Sequence, residues 1–557
     1  MRLTQTSDLW WKTAVVYCLD VETYADGNGD GCGDFRGLID RIDHLHRLGV
    51  TCLWLMPFYP SPDRDDGYDI SDFYAVDPRL GNLGDVVELV RTARDRGMRV
   101  IADLVVNHTS DQHPWFVEAR SSRESPKRDW YVWADEKPAN AAEGVVFPDQ
   151  ETSTWQYDRR TKQYYQHQFY RFQPDLDIAN PEVRDEIAKI MGFWMELGLS
   201  GFRVDAVPFL LQTATPADAA ALPDPHDYLA DLAAFLRRRN GEAILLGEVN
   251  LLYPDLMAFF GARDGGGSTH ELTMCFDFIG MQQMYLALAR GDAEPLADAL
   301  RQRPDPPEDG HWATFVRNHD ELTLDKLTDS QRKEVFAAFG PDEDMQVYGR
   351  GLRRRLPPML DGDQRRIRMV YSLLFSMPGT PVLFYGEEIG MGENLAVEGR
   401  FAVRTPMQWT SDPQGGGFST ADPATFPGPL PTGAYGPEAV NVRDQLRDSG
   451  SLLAWIRTLI DGYRACPELA WGRYTVLDPG SDARPVLAHR CDVDGLTVAA
   501  FHNMADDDVT ATLVLPDLAG TTLNDVLDPA ADPVVVDGEG RFTVPLAPYG
   551  CCWLRSS

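Results

Sequence analysis

The chain has 557 residues, 43% of them hydrophobic and 25% charged, with a formal net charge of −33 and a pI near 4.6. That length exceeds one compact core and calls for several domains, or for an α/β barrel with additions. A surface this acidic repels nucleic acid and anionic lipid, which excludes both as expected partners and favours neutral or cationic small ligands.

In chain order, "TAVVYCLDV" reads as a first strand. The loop after it, "DGNGDGCGD", sets oxygen donors at Asp26, Asn28, Asp30 and Asp34 between glycines. It starts like an EF-hand, but Gly37 stands where the closing glutamate belongs, so the EF-hand is incomplete. It also lacks the G-x-G-x-x-G spacing, and its acids repel a phosphate. The expectation is one structural calcium, with magnesium as the alternative, held by Asp26, Asn28, Asp30, the Cys32 carbonyl and Asp34. The competing reading is an Asp-rich turn without metal.

A helical stripe follows in "LIDRIDHLHRLGV", with Leu38, Ile39, Ile42, Leu45 and Leu48 on one face. Further strand-like runs are "VTCLWLMPF", "RVIADLVVNH", "SGFRVDAVPF", "AILLGEVN", "TMCFDFIG", "WATFVRNHDE" and "TPVLFYGEEIG", with helices such as "DVVELVRTARDRGM", "VRDEIAKIMGFWMELG" and "DYLADLAAFLRRR" between them. Eight strands in βα rhythm predict a (β/α)8 TIM barrel. The rhythm breaks at 109–180, which is rich in Trp, Tyr, Gln and Arg. From 466 it gives way to short alternating strands, "RPVLAHRCDV", "LTVAAFHN", "VTATLVL" and "RFTVPL", which predict a C-terminal antiparallel β domain. The expected organisation is barrel over 1–108, insertion over 109–180, barrel again over 181–465, and a β-sandwich over 466–557. The Gly/Pro-rich stretch 411–441 reads as a long surface connection or a mobile lid.

No stretch is long and apolar enough to span a bilayer, and the first residues lack the order of a signal peptide. Eight scattered cysteines form no C-x-x-C pair, so free thiols in a reducing cytoplasm are expected. Self-association is left open.

The strand ends carry the chemistry. They bring Asp103, Asn107 and His108, then Arg203 and Asp205, then Glu248, then Asn318, His319, Asp320 and Glu321. In a barrel these ends meet at one face. One carboxylic acid to protonate a leaving oxygen and one carboxylate to attack from the other side is the requirement of retaining glycoside cleavage. Arg203 is expected to keep Asp205 ionised, and a drier site to raise Glu248. His108 and His319 can bond sugar hydroxyls.

These residues, in this order, resemble glycoside hydrolase family 13, the α-amylase family. "DLVVNH", "GFRVDAVPF", "LLGEVN" and "FVRNHDE" look like its four signatures, and "QPDLD" like an additional one. The resemblance implies Asp205 as nucleophile with Arg203 as its partner, Glu248 as acid/base, Asp320 as transition-state stabiliser and His319 as sugar-binding. It also implies Asp65 and Tyr68 of "DDGYDI" in a glucose pocket, arginines at Arg400 and Arg404, a domain B after strand three, and a metal in the first loop. The residue after Arg400 is Phe401, where relatives often have Asp. Several stretches, among them "RNHDELTL" and "GLRRRLPPMLDGD", resemble the trehalose synthase branch, which interconverts maltose and trehalose. "EVNLLYPD" departs from that branch, with Leu251 and Leu252 in place of a polar-aromatic pair. The alternative is an α-1,4-glucosidase or transglucosylase on maltose, sucrose or other small α-glucosides. By the same analogy, 109–180 and 411–441 are expected to roof the pocket.

Overall fold

Eight short strands form a closed parallel barrel in the computed structural model, which describes residues 9–210, 225–261 and 270–556. They are β1 (Val16–Leu19), β2 (Cys52–Leu55), β3 (Arg99–Leu104), β4 (Gly201–Val204), β5 (Ile244–Gly247), β6 (Met274–Phe276), β7 (His311–Phe315) and β8 (Thr380–Phe384). Each lies within one of the eight apolar runs, except that β7 starts one residue earlier, at His311. Closure comes from β1, whose Val16 is partnered with Cys52 on one side and Val382 on the other. The strands are shorter than the runs because the last residues of each run leave the ladder. Those are the residues that carry chemistry.

The helix Phe35–Leu48 shows why the outer ring packs. Its buried face is Phe35, Leu38, Ile42, Leu45 and Leu48; four of these are on the face expected from its 3.6-residue period, and Ile39, also expected there, is half-buried. Asp34 caps its start by accepting from the Gly37 N–H (2.6 Å), and Gly49 ends it at φ 99°. At the start of β4, Gly201 lies so close to β5 that a Cβ would fall 2.2 Å from the Ile244 carbonyl oxygen, so the strands can approach only without a side chain there.

After β3 the chain builds a three-stranded antiparallel sheet from Trp133–Ala134, Gln163–Gln166 and Trp155–Asp158. A bridge between His108 and Asp175 ties it to the barrel. The C-terminal region carries a six-stranded and a two-stranded sheet around a second core that includes Phe501, Leu513 and Phe542. The stretch 411–441 does not roof the pocket, contrary to expectation. Its Phe418 carbonyl accepts from the Asp26 N–H (3.0 Å), Ser419 bonds Asp26, and the Tyr435 and Val440 carbonyls accept from Gln408. These bonds fix it over the first loop. The described cysteines form no disulfide, and no helix among the described residues is long and apolar enough to cross a membrane.

The helix Gln364–Ser376 docks on the C-terminal sheet through two buried histidines. His489 Nε2 is 2.9 Å from the Ser376 carbonyl, and His502 Nε2 is 3.0 Å from Ser372 Oγ. The rings stack at 6.2 Å. Burial lowers His489 to about 4 and His502 well below its ordinary value. A histidine kept neutral in the fold contributes stability above its unfolded pKa, and that contribution is lost as pH falls. Melting curves should therefore show stability falling from about pH 6.5 toward 4, with His489 supplying on the order of 3 kcal/mol. His489→Gln keeps a donor for Ser376 without titrating, and should flatten the profile. An unchanged slope would remove His489 from the account.

Candidate active site

The site grows from one buried guanidinium. Asp103 and Arg203 are register partners across β3 and β4, and both side chains are fully buried. Arg203 Nη1 donates to Asp103 Oδ1 (2.7 Å) and Asp205 Oδ1 (2.5 Å), and Nη2 lies 2.9 Å from Glu248 Oε2. Trp54 lies beneath, with its ring centroid 5.3 Å from the guanidinium, and its Nε1 donates to Asp103 Oδ2 (3.0 Å). One cation thus joins the ends of three consecutive strands.

Beyond Asp205 the backbone turns sharply. Ala206 sits at φ 49°, and its N–H donates to Glu248 Oε2 (3.0 Å). A small residue limits the strain of that conformation. Burial lifts Asp205 to about 6 although Arg203 pulls it down, so ion pairing does not hold it at an ordinary carboxylate value as expected. Glu248 is lifted to about 7 by burial, with Arg203 opposing and Asp205 and Asp320 adding. That agrees with the expected drier setting for a proton donor.

Asp320 follows β7 and behaves oppositely. Burial would raise it, but His319, Arg400, Arg404 and Arg203 together outweigh burial and lower it. Arg400 Nη1 and Arg404 Nη2 donate to its Oδ1 at 2.8 and 2.9 Å, and His319 Nε2 lies 3.2 Å from Oδ2. Burial lowers His319 well below its ordinary value, while Asp320 pulls it up.

The predicted residues converge on a cavity of about 480 Å3, in the range of small-ligand sites. Asp65, Tyr68, His108, Asp205, Glu248, Asp320 and Arg400 line it. Arg203, His319 and Arg404 lie behind them, buried. His319 reaches the site through Tyr68, whose hydroxyl is 2.7 Å from its Nε2 and whose ring stacks on it. His108 Nε2 is 3.1 Å from the Tyr68 carbonyl, so that nitrogen is engaged with backbone. Arg400 bonds Asp65 as well as Asp320, despite the Phe401 departure. From the inserted segment, Gly144–Phe147 and Phe169 complete the wall.

Several contacts escaped the sequence reading. Gln173 Nε2 donates to Asp65 Oδ2 (2.8 Å), and Asp66 accepts from Arg404 Nη1 (2.5 Å). Asp325 Oδ1 accepts from Asn250 Nδ2 (3.0 Å), beside Lys326 on the cavity wall. Gln173 stands inside "QPDLD", so that motif was the available signal. Leu251 lines the cavity, whereas Leu252 is 55% exposed and is not part of the lining.

The first loop winds through successive Asx turns. The N–H groups of Asn28, Asp30 and Cys32 donate to Asp26, Asn28 and Asp30 at 3.1, 2.9 and 2.9 Å. Asp34 accepts from Gly37 and Asn28. The donors are all hard oxygens, which suits Ca2+ or Mg2+ over softer metals. Among the described residues, the three carboxylates gathered tightly enough to share an ion are instead Glu22, Asp63 and Asp66. Arg79 already bridges Glu22 and Asp63, at 3.0 and 2.9 Å.

The catalytic-domain model of α-amylase matches residues 21–338 and 353–472. The chain belongs to the α-amylase family. It is 41% identical to trehalose synthase/amylase TreS of Mycobacterium tuberculosis over 500 residues, covering 89% of this chain and 82% of that one. It is 38% identical to the trehalose synthase of Pimelobacter sp. over 556 residues, covering 98% and 96%. Among solved structures, it is similar to the α-glucosyl transfer enzyme XgtA, with TM-score 0.77, 28% identity, and coverage of 98% and 99%.

Catalysis that used Asp205 as nucleophile and Glu248 as acid would need the first ionised and the second protonated. Activity should fall below about pH 6, where Asp205 gains its proton, and above about pH 7, where Glu248 loses its own. A kcat/KM profile should therefore be a narrow bell, with limbs that belong to the coupled pair. Glu248→Gln should remove the alkaline limb for donors whose leaving group needs no proton. A limb that survives there would point to another acid.

Proposed function

We propose that the chain transfers α-glucosyl groups between small sugars in the manner of a trehalose synthase, interconverting maltose and trehalose. The observation that carries this reading is the bridging of Asp205 and Glu248 by one buried arginine, inside a cavity that the inserted segment covers in part. Asp205 attacks C1 of the donor glucose while Glu248 gives its proton to the glycosidic oxygen. The C1–O bond breaks, and a glucosyl ester forms on Asp205. Asp320, held ionised by Arg400 and Arg404, faces the positive charge that develops at the ring. The released glucose then presents its anomeric hydroxyl. That oxygen attacks C1, Glu248 takes its proton, and the ester bond to Asp205 breaks. Water entering by the same route would give free glucose, so dryness decides the outcome. The relatives named trehalose synthase support this reading. The second reading, an α-glucosidase, has support from a probable α-glucosidase of Rhizobium meliloti at 32% identity and from Leu251 on the wall.

Carbon-13 NMR of the purified protein with maltose, and separately with trehalose, tests it. Interconversion with little glucose is expected. Glucose as the main product would make the chain a hydrolase. Asp205→Ala should lower turnover by at least about a thousandfold, and retained turnover would exclude the mechanism.

The Asp-rich loop, on this reading, holds a structural calcium through Asp26, Asn28, Asp30, the Cys32 carbonyl and Asp34. A metal there would tie the loop to the 411–441 stretch and supply no chemistry. Chelation should lower the melting temperature and added calcium should restore it. A melting curve indifferent to both would assign the loop to its own hydrogen bonds.

A further inference from the structure

The motif "GLRRRLPPMLDGD" takes no part in the chemistry, yet its arginines reach the loops around the cavity. Arg353 Nη2 donates to the Leu395 carbonyl (2.8 Å), and Arg354 Nε to Glu393 Oε1 (2.9 Å). Arg355 Nη1 and Nη2 donate to the carbonyls of Tyr385 (2.8 Å) and Val403 (2.7 Å). These three brace the segment that presents Arg400 and Arg404. The arginine just ahead of the motif does something different.

Gln346–Val347 and Gly351–Leu352 form an antiparallel hairpin. Its turn carries Tyr348 at φ 57° and Gly349 at φ 65°, closed by the Arg350 N–H on the Val347 carbonyl (3.3 Å). The register leaves Tyr348, Gly349 and Arg350 between the strands, and two consecutive positive φ values in this tight reversal give the tip a fixed direction. That tip meets the inserted segment. The Tyr348 ring lies 5.2 Å from Phe147, and Arg350 Nη1 donates to the Val146 carbonyl (2.8 Å). Arg350 Nη2 donates to Glu321 Oε1 (3.0 Å), on the residue after Asp320. The hairpin also pairs with Leu322–Thr323, so its base is anchored to the same strand end. Phe147 in turn stacks on Tyr170 at 4.5 Å and lies 4.8 Å from the Arg400 guanidinium.

We propose that Arg350 is the latch that holds Val146–Phe147 over the cavity, and that it sets how the glucosyl-enzyme divides between a sugar acceptor and water. It is a positioning residue. Val146, Phe147, Glu321 and Arg350 all line the cavity, so the latch lies on the way into it. Its acceptor in the inserted segment is a backbone carbonyl, so the closing bond depends on residue 350 alone. Arginine suits the task because a planar fork serves two acceptors from one rigid group, which a lysine ammonium does less well. With the latch open, water reaches C1 of the ester on Asp205. Its oxygen bonds C1, its proton goes to Glu248, the ester bond to Asp205 breaks, and glucose leaves in place of a disaccharide.

This inference rests on the glucosyl-transfer reading, so the experiment separates the two. Wild type, Arg350→Met and Arg350→Lys are given p-nitrophenyl α-glucoside with carbon-13 glucose as acceptor. Labelled disaccharide is measured against unlabelled glucose. Arg350→Met should lower that ratio by about tenfold, the effect of one charge-assisted hydrogen bond, and Arg350→Lys should fall between. Amide hydrogen exchange should quicken at 144–151 in Arg350→Met. An unchanged ratio together with unchanged exchange overturns the latch. If wild type makes no disaccharide, the transfer reading fails instead. Exchange at 144–151 then decides closure by itself, with faster exchange supporting the latch and unchanged exchange overturning it.

Discussion

Everything at the barrel mouth depends on a charge that water never reaches. Arg203 is fully buried, and three carboxylates share it: Asp103, Asp205 and Glu248. Desolvating one guanidinium is costly, and removing one partner of such a group leaves the others uncompensated. The arrangement is therefore stable only as a whole. It also leaves more negative groups than positive ones in one dry place. That surplus lets burial raise Asp205 and Glu248 instead of leaving both at ordinary values.

A second arginine pair reverses the balance on the opposite side. Arg400 and Arg404 converge on Asp320, and each also holds a neighbouring acid, Asp65 and Asp66 respectively. The same residue type thus produces one carboxyl that protonates easily and one that does not. What differs is the count of cations per carboxylate. Electrostatics of this kind comes from placement by separate strand ends, which is why a rigid barrel suits it.

The barrel was legible because its signal is local. Each strand is an apolar run ended by polar residues, and eight of them in βα rhythm allow few arrangements. The helix Phe35–Leu48 could be read from its period and from the glycine at its end. The carboxylates could be read because motif order carried them. What could not be read was long-range. Gln173 reaching Asp65, Asp66 reaching Arg404 and Arg350 reaching Val146 join residues whose separation leaves no periodic trace. The misplaced roof has the same origin. Composition marks 411–441 as an irregular connection, but only tertiary packing decides that it lies on Asp26 and not on the pocket. The raised Asp205 was missed because an adjacent arginine is visible in sequence and burial is not.

Closure through β1 and β8 has a consequence for how the chain is made. Val16 gains its second strand partner only when Val382 exists. Until then the growing chain has an open sheet with unpaired edges, and open edges invite other chains. Contacts this distant in sequence also form slowly. The waiting state therefore lasts, and something must keep copies apart while it does. The acidity of the chain supplies that separation by mutual repulsion. The same acidity then acts early, during synthesis, as protection for a barrel that has not yet closed.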